Sequence, residues 1–146
     1  MNREKLFESI INDSVQLIQV GDLETLSMIY ANDTAKKFFP FAGGDCIGKP
    51  CYKYFMGYNE QCPFCPLRDM DGRASYDTVV HNGGRSFAVK TTVSEPDGRK
   101  VFTEYARDIT DKIKAKEHLK RRYECSSSPC RTHSVSSTWT SRTMYV

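Results

Sequence analysis

The stretch SYDTVVHNGGRSFAVKTTVSEPDGRKVFTEYARDITD, residues 75–111, decides the fold. It holds three runs in which every second residue is apolar, aromatic or β-branched: Tyr76, Thr78 and Val80; then Phe87, Val89, Thr91 and Val93; then Val101, Thr103 and Tyr105. A period of two puts alternate side chains on one face of a strand. HNGGR and EPDGR separate the runs, and their Gly, Asn, Pro and Asp residues supply the backbone angles of tight turns. The pattern predicts a three-stranded antiparallel meander.

Working outward, Thr110 is placed to cap a helix whose first residue, Asp111, suits the positive end of the helix dipole. That helix, residues 111–124, carries Ile113, Ala115, Leu119 and Tyr123 on an otherwise charged rod and reads as a connector or half of a coiled coil. From Ser126 onward 11 of 21 residues are Ser or Thr, so residues 125–146 read as a disordered tail that looks foreign to a connector helix. Upstream, Leu6, Phe7, Ile10 and Ile11 lie on one face of a leading helix over residues 3–12. Ser14 to Val20 and Leu26 to Ala31 form a strand pair around GDLET, and Asn32, Asp33 and Thr34 offer caps for a short helix, AKKFF. Residues 40–72 hold four of the six prolines and five of the nine glycines, which predicts short turns and loops.

The cysteines fall in that irregular region, spaced C-x4-C-x10-C-x2-C at Cys46, Cys51, Cys62 and Cys65. Thiols separated by two residues reach one metal ion through a tight turn, and zinc takes four such ligands. The same residues also admit a disulfide between Cys62 and Cys65, or plain packing of buried thiols. No run approaches a membrane span, and MNREKLFESIINDS lacks the apolar region of a signal peptide, so a cytoplasmic setting is expected. There thiols stay reduced, which favours metal or redox chemistry over structural bridges. The net charge of +3 divides unevenly: residues 1–111 carry 13 basic and 16 acidic residues, residues 112–146 carry 8 and 2. The acidic body argues against a nucleic-acid partner, and no membrane partner is expected.

Leading helix, two strands, irregular region, meander and exit helix is the element order of a PAS domain, and particular residues carry the resemblance. IYAND, residues 29–33, resembles the end of the second PAS strand with its asparagine, here Asn32. CIGKPCYKYF, residues 46–55, resembles the stretch leading into the central helix, and YARDITDKIKAKEHL, residues 105–119, resembles the Asp-Ile-Thr junction into a signalling helix. The resemblance covers about residues 3–123. Within PAS domains it is closest to a bacterial subset with a Gly-x-Pro-Cys-Tyr segment followed by Cys-Pro-x-Cys-Pro. Cys51, Cys62 and Cys65 match that pattern, and Cys46 is an addition.

The resemblance implies an α+β fold: a five-stranded antiparallel sheet with short flanking helices, an N-terminal helix and a C-terminal signalling helix. It divides the chain into a sensor domain, residues 1–110, a connector helix and the tail. It further implies a sensory module of a bacterial signalling protein of the histidine kinase, diguanylate cyclase or transcription regulator type, responding to a ligand, a metal or redox state. A cofactor-free dimerisation module is the alternative, and a homodimer through the terminal helices is the expected partner. Cys51, Cys62 and Cys65 would hold zinc or an iron–sulfur cluster. Tyr30, Phe39, Phe55, Tyr58, Phe87 and Tyr105 would line a ligand pocket, while Asn32, Asp108, Ile109 and Thr110 would relay its state. Haem is disfavoured because His81, His118 and His133 lie in a turn, on the exit helix and in the tail; flavin photochemistry is disfavoured because its Asn-Cys-Arg-Phe motif is missing. CPFC resembles a thioredoxin active site without the βαβ setting which that fold needs, and no arrangement of catalytic residues is legible.

Overall fold

The computed structural model describes residues 1–38 and 45–127. Phe39, and residues 128–146 of the tail, lie outside the described residues. The chain divides into two units, residues 1–113 and residues 114–146. The element order is α1 (Arg3–Asn12), β1 (Leu17–Asp22), β2 (Met28–Ala31), α2 (Asp33–Phe38), α3 (Cys51–Tyr54), a 3₁₀ turn (Pro66–Asp69), β3 (Ser75–Asn82), β4 (Arg85–Ser94), a second 3₁₀ turn (Pro96–Gly98), β5 (Val101–Asp108) and α4 (Thr110–Ser127). The strands form one antiparallel sheet in the order β2-β1-β5-β4-β3.

The meander forms as its sequence dictates. Gly83 and Gly84, with φ of 58° and 76°, close the β3–β4 hairpin in the left-handed region that only glycine enters without strain. The first strand starts at Leu17 rather than Ser14, because the Ser14 hydroxyl accepts the Gln16 N–H at 3.1 Å and makes a local turn instead. It also runs on through Gly21 and Asp22. The Asp22 carboxylate then accepts the N–H groups of Thr25 (2.9 Å) and Glu24 (3.0 Å) and pairs with Arg99 at 2.9 Å, contacts that hold its pKa down to about 2. The exit helix reaches Ser127, three residues past its expected end, with the Ser126 hydroxyl donating to the Tyr123 carbonyl at 3.0 Å.

Asn32 ties the first half together. Its Oδ1 accepts the N–H groups of Ile18 and Ala35, both at 3.0 Å, and its Nδ2 donates to the carbonyls of Ile11 (3.0 Å) and Gln16 (2.9 Å). One buried amide thereby joins the end of α1, the start of β1 and the first turn of α2.

The core lies on one face of the sheet. Leu17, Met28, Ala31, Ala35, Tyr54 and Phe55 form one cluster, and Val80, Phe87 and Val89 form a second, with Phe38 and Ala106 packed against both. α1 contributes no buried residue. Among the described residues no helix is long and apolar enough to cross a membrane.

Candidate functional site

Three of the four clustered cysteines meet at one cavity between the sheet and the irregular region. Cys51 opens α3, held there because its N–H donates to the Leu26 carbonyl at 2.9 Å while Met28 N–H and Lys49 O bond at 2.9 Å beside it. Cys62 and Cys65 lie across a tight turn in which the Cys65 N–H donates to the Cys62 carbonyl at 3.1 Å. Gln61 Nε2 contacts Cys65 Sγ at 3.3 Å, and Arg68 Nη2 fixes the Gln61 carbonyl at 2.9 Å. Cys46, by contrast, is fully buried in the first core cluster and does not line the cavity.

The cavity has a volume of about 70 Å³. At roughly 10–15 Å³ per water, it has room for a molecule of about five heavy atoms. Its apolar walls are Leu17, Phe55, Phe64, Val80, Phe87 and Val89; its polar groups include Gln19, Asn82, Glu104 and the three thiols. Gln19 and Glu104 face each other across β1 and β5, and the Gln19 amide donates to Glu104 Oε2. Burial pushes the Glu104 pKa above the ordinary carboxylate value, opposed by that hydrogen bond. Burial and the neighbouring acidic groups push the Cys51 thiol far up, burial and Cys65 bring Cys62 to about 11, and burial raises Cys65. These thiols are protonated at neutral pH, the reverse of an activated thioredoxin-type cysteine.

The three cysteines share a cavity without converging on a point. Among the described residues no group of three or more His, Cys, Asp or Glu side chains is disposed to hold a metal ion. The donor set expected for zinc or an iron–sulfur cluster therefore lines one cavity but is not assembled as a coordination sphere, which would need sulfurs about 2.3 Å from a common centre.

Of the aromatic residues expected in the pocket, Phe55 and Phe87 line it. Tyr58 stands behind, its ring 5.8 Å edge-on from Phe64. Tyr30 donates to Asn12 Oδ1 at 3.1 Å, away from the cavity. Tyr105 lies on the opposite face of the sheet with Lys90 and Arg107, because its neighbours Glu104 and Ala106 are the residues of β5 that point inward. The sequence reading missed Gln19, Asn82 and Glu104. Their signal was the strand register, since Val89 and Thr91, both inward, pair with Ala106 and Glu104.

Of the four residues expected to relay the cavity's state, Asp108, Ile109 and Thr110 meet at the root of α4, while Asn32 lies apart from it, bonded to α1, β1 and α2. Asp108, rather than Thr110, caps the helix: its Oδ1 accepts the Thr110 N–H at 2.9 Å and the Thr110 hydroxyl as well. Thr110 is not free to cap, because its Oγ1 also accepts the Ser86 N–H at 3.0 Å. The Ile109 N–H donates to the Ser86 carbonyl at 2.8 Å, and Arg85 pairs with Asp108 Oδ2 at 3.3 Å. The Arg85 guanidinium also sits 4.8 Å above the Phe38 ring, which meets Phe87 edge-on at 5.5 Å. These contacts hold the Asp108 carboxyl below its usual pKa, its bonds to Thr110 foremost.

No protein-family model matches the chain, and no curated protein matches it. Solved structures do. The chain is similar to an RNA-binding light-oxygen-voltage receptor, with a TM-score of 0.60 and 13% identity over 83% of this chain, which spans 37% of the receptor. It is similar to the PAS domain of Bordetella pertussis BvgS, with a TM-score of 0.53 and 18% identity, covering 84% of this chain and 98% of that one. A PAS domain from a two-component sensor histidine kinase gives a TM-score of 0.52 at 11% identity, over 73% of this chain and 96% of that domain. At such identities the likeness is one of fold, and the fold is PAS.

Proposed function

We propose that the chain is a sensory module of a signalling protein, in which a small ligand in the cavity, or a chemical change at its thiols, alters the root of α4. One observation carries this reading. Cavity and helix root share the same two strands: Glu104 and Ala106 wall the cavity, and Asp108 and Thr110 follow on the same chain. On the neighbouring hairpin Asn82 and Phe87 wall the cavity, while Arg85 and Ser86 between them hold Asp108 and Thr110. A shift of either wall therefore loads the contacts that set the start of the helix. Sensing, not catalysis, is the proposed role, with any output in another domain.

Methyl methanethiosulfonate tests the relay in a Cys125→Ser/Cys130→Ser chain. Each modified thiolate attacks the reagent's sulfenyl sulfur, forms a methyl disulfide and expels methanesulfinate, which fills the cavity with a group of two heavy atoms. Modification needs alkaline pH, because the cavity thiols are protonated at neutrality. Once mass spectrometry shows Cys51, Cys62 or Cys65 modified, hydrogen exchange at the amides of residues 109–113 should change by about threefold or more. Unchanged exchange in a modified protein rules the relay out.

A second reading, a homodimerisation module, is favoured by α1. Its apolar face is exposed, Leu6 by 38%, Phe7 by 54% and Ile10 by 58%, in a helix with no buried residue. Phe7→Ser/Ile10→Ser should then convert a dimer to a monomer by light scattering, with the melting curve of the folded domain retained. A wild-type monomer at high concentration excludes this reading.

A further inference from the structure

We propose that Cys62 and Cys65 are a dithiol–disulfide couple, oxidised by low-molecular-weight disulfides and reduced by the corresponding thiols, and that closing the bond moves the Phe64 ring held between them. This assignment rests on the sensory reading above and names the chemical change to which the site responds.

The pair follows from the local backbone. The Cys65 N–H donates to the Cys62 carbonyl at 3.1 Å, which makes residues 62–65 a four-residue turn. Such a turn holds its end Cα atoms within about 7 Å, and a disulfide spans about 4.4–6.8 Å. Pro63 within the turn and Pro66 just after it fix two backbone angles in advance, and the Arg68 N–H donates to the Cys65 carbonyl at 3.0 Å. Little chain freedom is therefore left to lose when the bond closes. Cys62 and Cys65 are free thiols that both line the cavity. Cys51 lies on α3, outside the turn, so the couple is a pair and not a triad.

The exchange runs in two steps. Gln61 Nε2 donates to Cys65 Sγ at 3.3 Å, a contact that favours the thiolate and makes Cys65 the attacking sulfur. Its thiolate attacks one sulfur of the small disulfide, forms a mixed disulfide and expels one small thiolate. The Cys62 thiolate then attacks Cys65 Sγ, forms the intramolecular bond and expels the second. The two cysteines lose two protons and two electrons, and the small disulfide becomes two thiols. Burial keeps both cysteines protonated at neutral pH, so exchange is slow there. The reduced pair also gains nothing from a stabilised thiolate, which lets the closed form hold against reduction.

Phe64 carries the change onward. Its ring lines the cavity and packs against Val80, Phe87 and Val89. Phe87 meets Phe38 edge-on at 5.5 Å, and the Arg85 guanidinium that lies 4.8 Å above Phe38 pairs with Asp108 at the root of α4. Drawing the two sulfurs together redraws the turn on which this ring is mounted.

The test incubates the full Cys125→Ser/Cys130→Ser chain with mixtures of 2-mercaptoethanol and its disulfide, approaching equilibrium from the reduced and the oxidised side. Acid quenching, alkylation of the unfolded chain and mass spectrometry then locate the bond. With thiol and disulfide both at about 1 mM, at least half of the chains should carry a 62–65 bond and still alkylate at Cys46 and Cys51, as expected for an effective concentration in the millimolar range. The ring signals of Phe64 should shift on closure. A bond that involves Cys51, a mixed disulfide that does not resolve, no oxidation at that ratio, or an unmoved Phe64 ring overturns the assignment. The relay is judged separately: a 62–65 bond that moves Phe64 without altering exchange at residues 109–113 leaves the couple standing and removes the sensory reading. Conversely, a change at the helix root on methylthiolation in a chain that never closes the bond keeps the relay and discards the couple.

Discussion

Asn32→Ala should destabilise the domain by about 3–5 kcal/mol, a large part of the 5–15 kcal/mol that holds a typical domain together. The side chain is fully buried and uses its entire capacity: two lone pairs accept from Ile18 and Ala35, and two N–H groups donate to Ile11 and Gln16. Truncation strands four backbone groups belonging to different segments. Each costs about 1–3 kcal/mol where water cannot reach it, and the three partly buried ones recover some of that from solvent. Asn32→Asp is the sharper test because it preserves shape and both accepting bonds. It still fails, since a carboxylate then faces the carbonyl oxygens of Ile11 and Gln16, which raises the cost to at least that of alanine. Urea unfolding monitored by circular dichroism should show a lower midpoint with an unchanged slope for both variants. A loss below about 1 kcal/mol for either would mean that these bonds add little beyond solvent exchange.

The parts of this fold that could be read from sequence are those fixed by local chemistry. Gly83 and Gly84 dictate a hairpin because few other residues adopt two successive positive φ angles, and Asn32 before Asp33 marks a cap because a short amide there reaches the helix N–H groups. The phase of β5 was not legible. Val101, Thr103 and Tyr105 are the alternating apolar, aromatic or β-branched set, yet Phe102, Glu104 and Ala106 form the inner row. A buried carboxyl violates the rule that assigns faces, and such violations concentrate at functional sites. The same reversal moved Tyr105 out of the expected pocket and hid Glu104 inside it. Spacing alone likewise could not separate Cys46 from Cys51, Cys62 and Cys65, because the split depends on which core each segment packs against. The cap of α4 was misassigned to Thr110 for a related reason: its competing partner, Ser86, comes from a strand 24 residues away.

That inner row is held in place by a contact between Gly21 and Phe102, paired across β1 and β5 two residues beyond Gln19 and Glu104. Phe102 is fully buried, and a Cβ on Gly21 would run into its ring and come within 3.2 Å of the Ser27 carbonyl oxygen. Phe102→Ala should therefore cost about 3–5 kcal/mol, through lost burial and the void left behind. Gly21→Ala should cost about 1–3 kcal/mol, because the ring has no space into which to retreat. The two effects should not add. In the Phe102→Ala background the new methyl enters the vacated space, so the cost of Gly21→Ala should fall by more than half, the remainder reflecting the Ser27 oxygen. If Phe102→Ala does not fold, Phe102→Leu runs the same cycle with a smaller void. Equal cost of Gly21→Ala in both backgrounds would show that the ring is not what makes glycine necessary. The consequence for the site is one of register: with glycine and ring interlocked, β1 and β5 cannot slip by one residue, a slip that would turn Glu104 out of the cavity.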